Sequence, residues 1–240
     1  MAAGKRAGRK SQSANDFLQP LAPTNVSATD VGTDRAFNNG AATVSFSLPS
    51  NSPAATSYTV TATAAGQTTR TATGSSSPIT VTDLASAVSY TITVTATNAS
   101  GTSDASASTT VTATTVPATM SAPTATAGVN QDTVSWTAPS TGGKAISLYR
   151  WTSSDGKTGT TTSTSVVVTQ EASTAQTYQV RAENANGNGV YSASSNSVTT
   201  QAPFFPPFFP PFFPSFGPFF PSFGPFFPPF FPGFSGNRLE

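Results

Sequence analysis

Between about residue 20 and residue 201 the chain alternates apolar and polar positions in short runs. Val44-Ser45-Phe46-Ser47-Leu48 has period two, as do Tyr58-Thr59-Val60-Thr61-Ala62, Ile79-Thr80-Val81 and Tyr90-Thr91-Ile92-Thr93-Val94-Thr95-Ala96. Period two puts alternate side chains on one face, so each run predicts a half-buried strand. Turn-forming segments separate them: Asn38-Asn39-Gly40, Pro49–Pro53, Gly74–Pro78 and Asn98-Ala99-Ser100-Gly101. No helical periodicity competes. Short strands with turns at this spacing predict an all-β sandwich.

The pattern recurs after Thr115-Val116-Pro117. Val134-Ser135-Trp136-Thr137 takes the place of Val44–Ser47, and Leu148–Trp151 that of the Tyr58 strand. Ser165–Thr169 answers Ile79–Thr82, and Tyr178–Asn184 answers Tyr90–Asn98. This is an internal duplication of domain length.

The unit Leu84…Tyr90-Thr-Ile-Thr-Val-Thr-Ala96-Thr-Asn98…Gly101 resembles strands E and F of a fibronectin type III domain. In that family the Leu and the Tyr six residues later form a corner of the sandwich. Pro23-Thr24-Asn25-Val26 and Pro123-Thr124-Ala125 resemble its strand A, and Trp136 sits where it places a core Trp, with Phe46 as the counterpart in the first unit. The resemblance implies two tandem sandwiches with Phe46, Leu84, Tyr90, Trp136 and Tyr178 in their cores. Six residues before Tyr178 stands Ala172, not Leu, so this corner is expected to pack differently, with Val168 as the candidate filler. The family serves adhesion, spacing and protein contact, and its fold alone fixes no activity. Arg-Gly-Asp, used by its integrin-binding members, does not occur in this chain.

Composition narrows the chemistry. The chain has no Cys and no His, only 9% charged residues and a net charge of +1. There is no disulfide framework or thiolate metal site, and the commonest acid/base residue and metal ligand is missing. Ser and Thr abound, but no His activates them and no G-x-S-x-G elbow appears. Lys144 and Lys157 are expected in exposed Gly-rich turns, and Glu171 and Glu183 give no sign of facing each other. Asp30 and Asp34 flank Gly32 with too few acidic neighbours for a calcium loop. Trp151, Tyr191 and Phe37 are candidate ligand-contact aromatics, with packing in the third strand the weightier reading for Trp151. The expectation is a non-enzyme without cofactor or metal.

Both ends depart from this pattern. Lys5, Arg6, Arg9 and Lys10 form a basic arm with no apolar run behind it, so a Sec-type signal peptide is not expected. The arm suits docking on an acidic protein surface. Four charges without interleaved aromatics are a weak nucleic-acid signal, and no stretch is long and apolar enough for a transmembrane helix.

At the other end, residues 203–234 read PFFPPFFPPFFPSFGPFFPSFGPFFPPFFPGF, with fifteen of the chain's eighteen Phe. They are Phe204, Phe205, Phe208, Phe209, Phe212, Phe213, Phe216, Phe219, Phe220, Phe223, Phe226, Phe227, Phe230, Phe231 and Phe234. Proline excludes helix interior and central strand. Polyproline II, on the order of 100 Å long at about 3.1 Å per residue, and a chain of tight turns at Gly217 and Gly224 are the two candidate conformations. Against three residues per turn, the four-residue repeat Phe204–Pro207 rotates its rings by about 120° each time. Rings then face all around the rod. So much apolar surface exceeds what a soluble monomer exposes, and burial against copies of the chain is expected, a coiled trimer being one arrangement.

The expected organisation is a basic arm (1–19), two fibronectin type III-like sandwiches (20–116 and 117–201) and an assembly tail (202–240). The combination resembles virion structural proteins of bacterial viruses, which carry such modules on capsids, necks, tails and fibres. That resemblance implies other virion proteins as partners and a host-surface glycan as a candidate ligand. A secreted adhesin or carbohydrate-binding module, and a cytoplasmic scaffold with a Pro-rich recruitment tail, are the alternatives.

Overall fold

The structure, a computed structural model, describes residues 18–204. The first sandwich opens with β1 (Thr24–Asp30), β2 (Gly40–Ser47), β3 (Ser57–Thr63) and β4 (Arg70–Gly74). It continues with β5 (Ile79–Leu84), β6 (Val88–Asn98), β7 (Gly101–Thr102) and β8 (Thr109–Ala113). One sheet has the order β1-β2-β5, the other β4-β3-β6 with β7 and β8 both on β6. All pairs are antiparallel. The alternation explains the layers: Val60, Ala62, Ile92, Val94 and Ala96 point inward, and the threonines between them face out. Phe46, Leu84 and Tyr90 lie in this core with Val44 and Val81. Phe46 packs on Tyr58 with ring centroids 4.8 Å apart. The Tyr90 hydroxyl closes the corner by accepting the Ala85 backbone N–H at 2.9 Å.

The second sandwich repeats the plan with β9 (Thr124–Gly128), β10 (Gln131–Ser135), β11 (Ile146–Ser153), β12 (Thr158–Thr161) and β13 (Ser165–Thr169). Then come β14 (Ala175–Gln176), β15 (Tyr178–Asn184), β16 (Gly187–Asn188) and β17 (Val198–Thr199). Its sheets run β13-β10-β9 and β12-β11-β15-β16, with β14-β17 as a short extra pair. Trp136, just past β10, packs edge-on to Tyr149 with centroids 5.5 Å apart. Trp151 is also core: Gly159, across the ladder, leaves the space its indole fills.

The strand after β6 shows why serines recur in both copies. Ser103 and Ser106 bond through their N–H to the carbonyls of Ala96 and Val94. The N–H groups of Ala96 and Val94 return to the hydroxyls of Ser103 and Ser106, both at 3.0 Å. Three residues on one chain advance against two on the other, so the ladder is bulged and a hydroxyl replaces the displaced carbonyl. Ser192 and Ser195 do the same against Val180 and Tyr178.

This register corrects one expectation. Gly189, Ser192 and Ser195 meet Ala182, Val180 and Tyr178, as Ser103 and Ser106 meet Ala96 and Val94. Counting along that ladder, Tyr178 holds the position of Ile92, and Gln176 holds that of Tyr90. The second sandwich therefore has no tyrosine corner of the first kind. Val168 is buried in the core beside it, but the corner itself is polar.

Candidate interaction surfaces

Two places could carry function: the junction between the sandwiches and the base of the tail. At the junction, Thr114, Thr115, Val116 and Pro117 are all buried, so the connection is packed backbone. The loop between β1 and β2 makes the clamp. Its own shape is held by Arg35, whose Nε donates to the Asn39 carbonyl. From it Asp34 N–H donates to the Asn186 carbonyl at 2.7 Å, and the Arg35 carbonyl accepts Val116 N–H at 3.0 Å. From the second sandwich, Asn184 Nδ2 donates to the carbonyls of Thr115 and Thr141 at 2.9 and 2.8 Å. Asn186 Nδ2 donates to Thr114 Oγ1 at 2.7 Å and to the Thr115 carbonyl at 3.1 Å. Gly187, at φ +127°, admits Asp34: a Cβ there would lie 2.7 Å from its carboxylate. Buried groups so fully paired leave few alternative arrangements, and the two sandwiches are built as a fixed pair.

The Asp30 carboxylate accepts both the N–H and the hydroxyl of Thr114. It is a fastening of the junction. Among the described residues no group of three or more His, Cys, Asp or Glu is placed to hold a metal ion.

The tail base is fastened on two sides, at β14 with the residues before it and at the turn between β9 and β10. Thr200 N–H reaches the Thr174 carbonyl at 3.4 Å, and its own carbonyl accepts Ser173 N–H at 2.8 Å. Gln201 bridges Val129 in parallel, exchanging bonds with Gly128 and Asn130 at 2.9 and 3.0 Å. Below lies a buried polar cluster. Fully buried Asp132 accepts the Tyr178 hydroxyl at 2.7 Å and the Thr200 hydroxyl at 3.0 Å. Gln170 Nε2 donates to the Tyr178 oxygen at 3.0 Å. The equivalent places in the first sandwich are taken by Ala42, Leu84, Ile92 and Ala113, all fully buried and apolar. One pole of the second core has thus exchanged an apolar filling for a polar one that holds the strand leading into the tail.

Burial, with the hydrogen bond to Asp132, pushes the Tyr178 hydroxyl well above its ordinary value of 10.0. The folded state prefers the neutral phenol. Its contribution is complete below about pH 10, where an unfolded tyrosine titrates, and is lost as pH rises beyond that toward the folded value. Urea denaturation between about pH 8 and pH 12 is expected to show a loss of stability in base. Tyr178→Phe lowers stability at neutral pH and flattens that slope.

Other singled-out residues are placed as follows. Glu183 binds Arg150 and Arg181 at 2.8 and 3.2 Å, and Arg181 lies 4.9 Å over the Tyr191 ring. Tyr191 and Phe37 are half-buried, and Lys144 and Glu171 are exposed. Lys157 is exposed, as expected of its turn, and its amine donates to the Thr169 carbonyl and to Gln170 Oε1. A polar cleft of about 230 Å³ lies between Gln67, Arg70, Asp83 and Asn38 on the first sandwich. No helix among the described residues is long and apolar enough to cross a membrane. Phe204 is 85% exposed; Phe205 to Phe234 and the arm from Lys5 to Lys10 lie outside the described residues.

Residues 21–112, spanning most of the first sandwich, match the family model of the fibronectin type III domain. The crystal structure of chicken CNTN1 FN1–FN3 domains is a structural neighbour at 18% identity and TM-score 0.47, covering 76% of this chain and 67% of that one. No curated protein matches. The fold is all-β, two tandem fibronectin type III-like sandwiches.

Proposed function

We propose that the chain is a non-enzymatic structural component of a bacteriophage virion, assembling through its terminal segments and displaying its paired sandwiches. The observation that carries this is the uncharged tract of fifteen Phe joined to a strand fastened to β14 and to the turn between β9 and β10. A tract of that composition needs a cover, and identical tracts of neighbouring copies supply rings on every side. The fixed pair of sandwiches supports a projecting role, because a hydrogen-bonded junction holds its direction. The arm with Lys5, Arg6, Arg9 and Lys10 fits an acidic surface on another virion protein.

Full-length protein is expected to form a defined oligomer in light scattering, and deletion of residues 203–240 to give a soluble monomer. A monodisperse full-length monomer would overturn assembly through the tail. Mass spectrometry of purified virions tests the setting separately: the chain is expected among the particle proteins, and its presence in culture supernatant alone would favour an adhesin.

A further inference from the structure

Lys157 directly precedes β12 in one sheet, and Gln170 directly follows β13 in the other. Lys157 Nζ lies 2.5 Å from Gln170 Oε1 and 2.8 Å from the Thr169 carbonyl. The Gln170 carboxamide is buried, 3% exposed, and its far nitrogen is held by the Tyr178 hydroxyl, itself fixed on Asp132. Asp155 Oδ2 stands 3.6 Å from Lys157 Nζ, and its other oxygen accepts the Ser153 hydroxyl. An amine, an immobilised carboxamide and a carboxylate able to take a proton are thus gathered where the two sheets approach. We propose that this cluster is an amide-forming centre, and that Lys157 and Gln170 join in an intramolecular isopeptide bond strapping one sheet to the other.

The chemistry needs no oxidant and no second substrate. Asp155 takes one proton from the Lys157 ammonium, and the neutral amine attacks the Gln170 side-chain carbonyl carbon. The new C–N bond forms, the bond to Nε2 breaks, and a second proton from Nζ goes to the departing nitrogen. With the proton returned from Asp155, the nitrogen leaves as ammonium, so the ammonium on Lys157 and the carboxamide become one amide plus one ammonium ion. Desolvation is the largest influence on Asp155 and acts to raise its affinity for protons. The hydrogen bonds from Ser153 and from the Lys157 backbone, with the Lys157 charge, outweigh it and hold the carboxyl below its ordinary value. It is therefore ionised. Proximity supplies the drive: groups held at contact react with effective molarities of about 10⁵ M or more when well oriented, and ammonia escapes to solvent. The chain has no cysteine, so the strap would give it a covalent tie by another chemistry. It would fall in the sandwich whose core is part polar and which carries the tail.

Peptide mass spectrometry of the full-length protein tests this. The expected result is one branched peptide linking residues 157 and 170, with the intact chain lighter by one ammonia. Lys157→Arg keeps a donor for Thr169 and Gln170 but cannot make the bond; it is expected at full mass with separate peptides. Asp155→Asn is expected to slow bond formation after refolding by about tenfold or more, the scale of a lost proton acceptor. Recovery of Lys157 and Gln170 in separate, unmodified peptides from the folded wild-type chain would overturn the proposal. An Asp155→Asn variant that closes the strap at the wild-type rate would overturn the role given to that carboxylate.

Discussion

Trp136→Ala is expected to destabilise the second sandwich by about 3–5 kcal/mol, the usual range for deleting a buried Trp. The indole is 9% exposed and sits against the Tyr149 ring in a core built from Met120, Val134, Trp151, Val168, Val180 and their neighbours. This core is smaller than that of the first sandwich, whose cluster adds Leu84, Ile79, Val81 and Ile92 to its valines. Few neighbours can close over the space, so the cavity term stays large. Urea denaturation should show the second sandwich unfolding earlier while Phe46 and Tyr90 keep the first one folded. A loss below about 1 kcal/mol, within the range of an ordinary surface change, would mean that the indole does not hold the two sheets together.

Asp132→Ala is the second large effect, at about 2–4 kcal/mol. Hydrogen bonds to a charged group are worth about 1.5–3 kcal/mol each, and orphaned hydroxyls keep their desolvation cost. The Tyr178 and Thr200 hydroxyls both lose their acceptor in a fully buried place. The informative control is the complete exchange. Asp132→Ala, Gln170→Leu, Tyr178→Ile and Thr200→Ala together install the filling found in the first sandwich. Replacing both partners of a buried hydrogen bond by apolar groups can be nearly neutral, so the fourfold variant is expected to recover most of the stability that the single change removes. Denaturation midpoints of the two variants decide it. Equal loss in both would show that the second backbone does not accept the apolar filling of the first.

Much of this fold was legible in the chain, and the reasons can be stated residue by residue. Alternation over Tyr90–Ala96 and Tyr58–Ala62 marked both faces of one sheet, because burial on a pleated strand follows parity. The polar cluster was hidden by composition, yet parity pointed to it. Val134 and Trp136 face inward, so Asp132, two residues earlier, faces inward too. The displaced tyrosine had a signal of the same kind. Setting Asn184 against Asn98, instead of Tyr178 against Tyr90, puts Gln176 at the corner. The junction gave no such sign. Most of its bonds run from the side-chain amides of Asn184 and Asn186 to Thr114, Thr115 and the Thr141 carbonyl, and no local pattern pairs residues about seventy positions apart. The serines that replace carbonyls could be read afterwards from their three-residue spacing, once the partner strand was known.

The attachment of Val198–Gln201 has a mechanical consequence. Any pull on the tail enters the second sandwich at Gln201, where the chain is bonded antiparallel to β14 and in parallel to Val129. Tension is then divided between β14, the turn between β9 and β10, and a buried hydroxyl–carboxylate contact at Thr200. Bonds loaded together resist shear, whereas bonds loaded in succession peel. The chain at residues 198–201 is therefore held by a grip that fails as a unit.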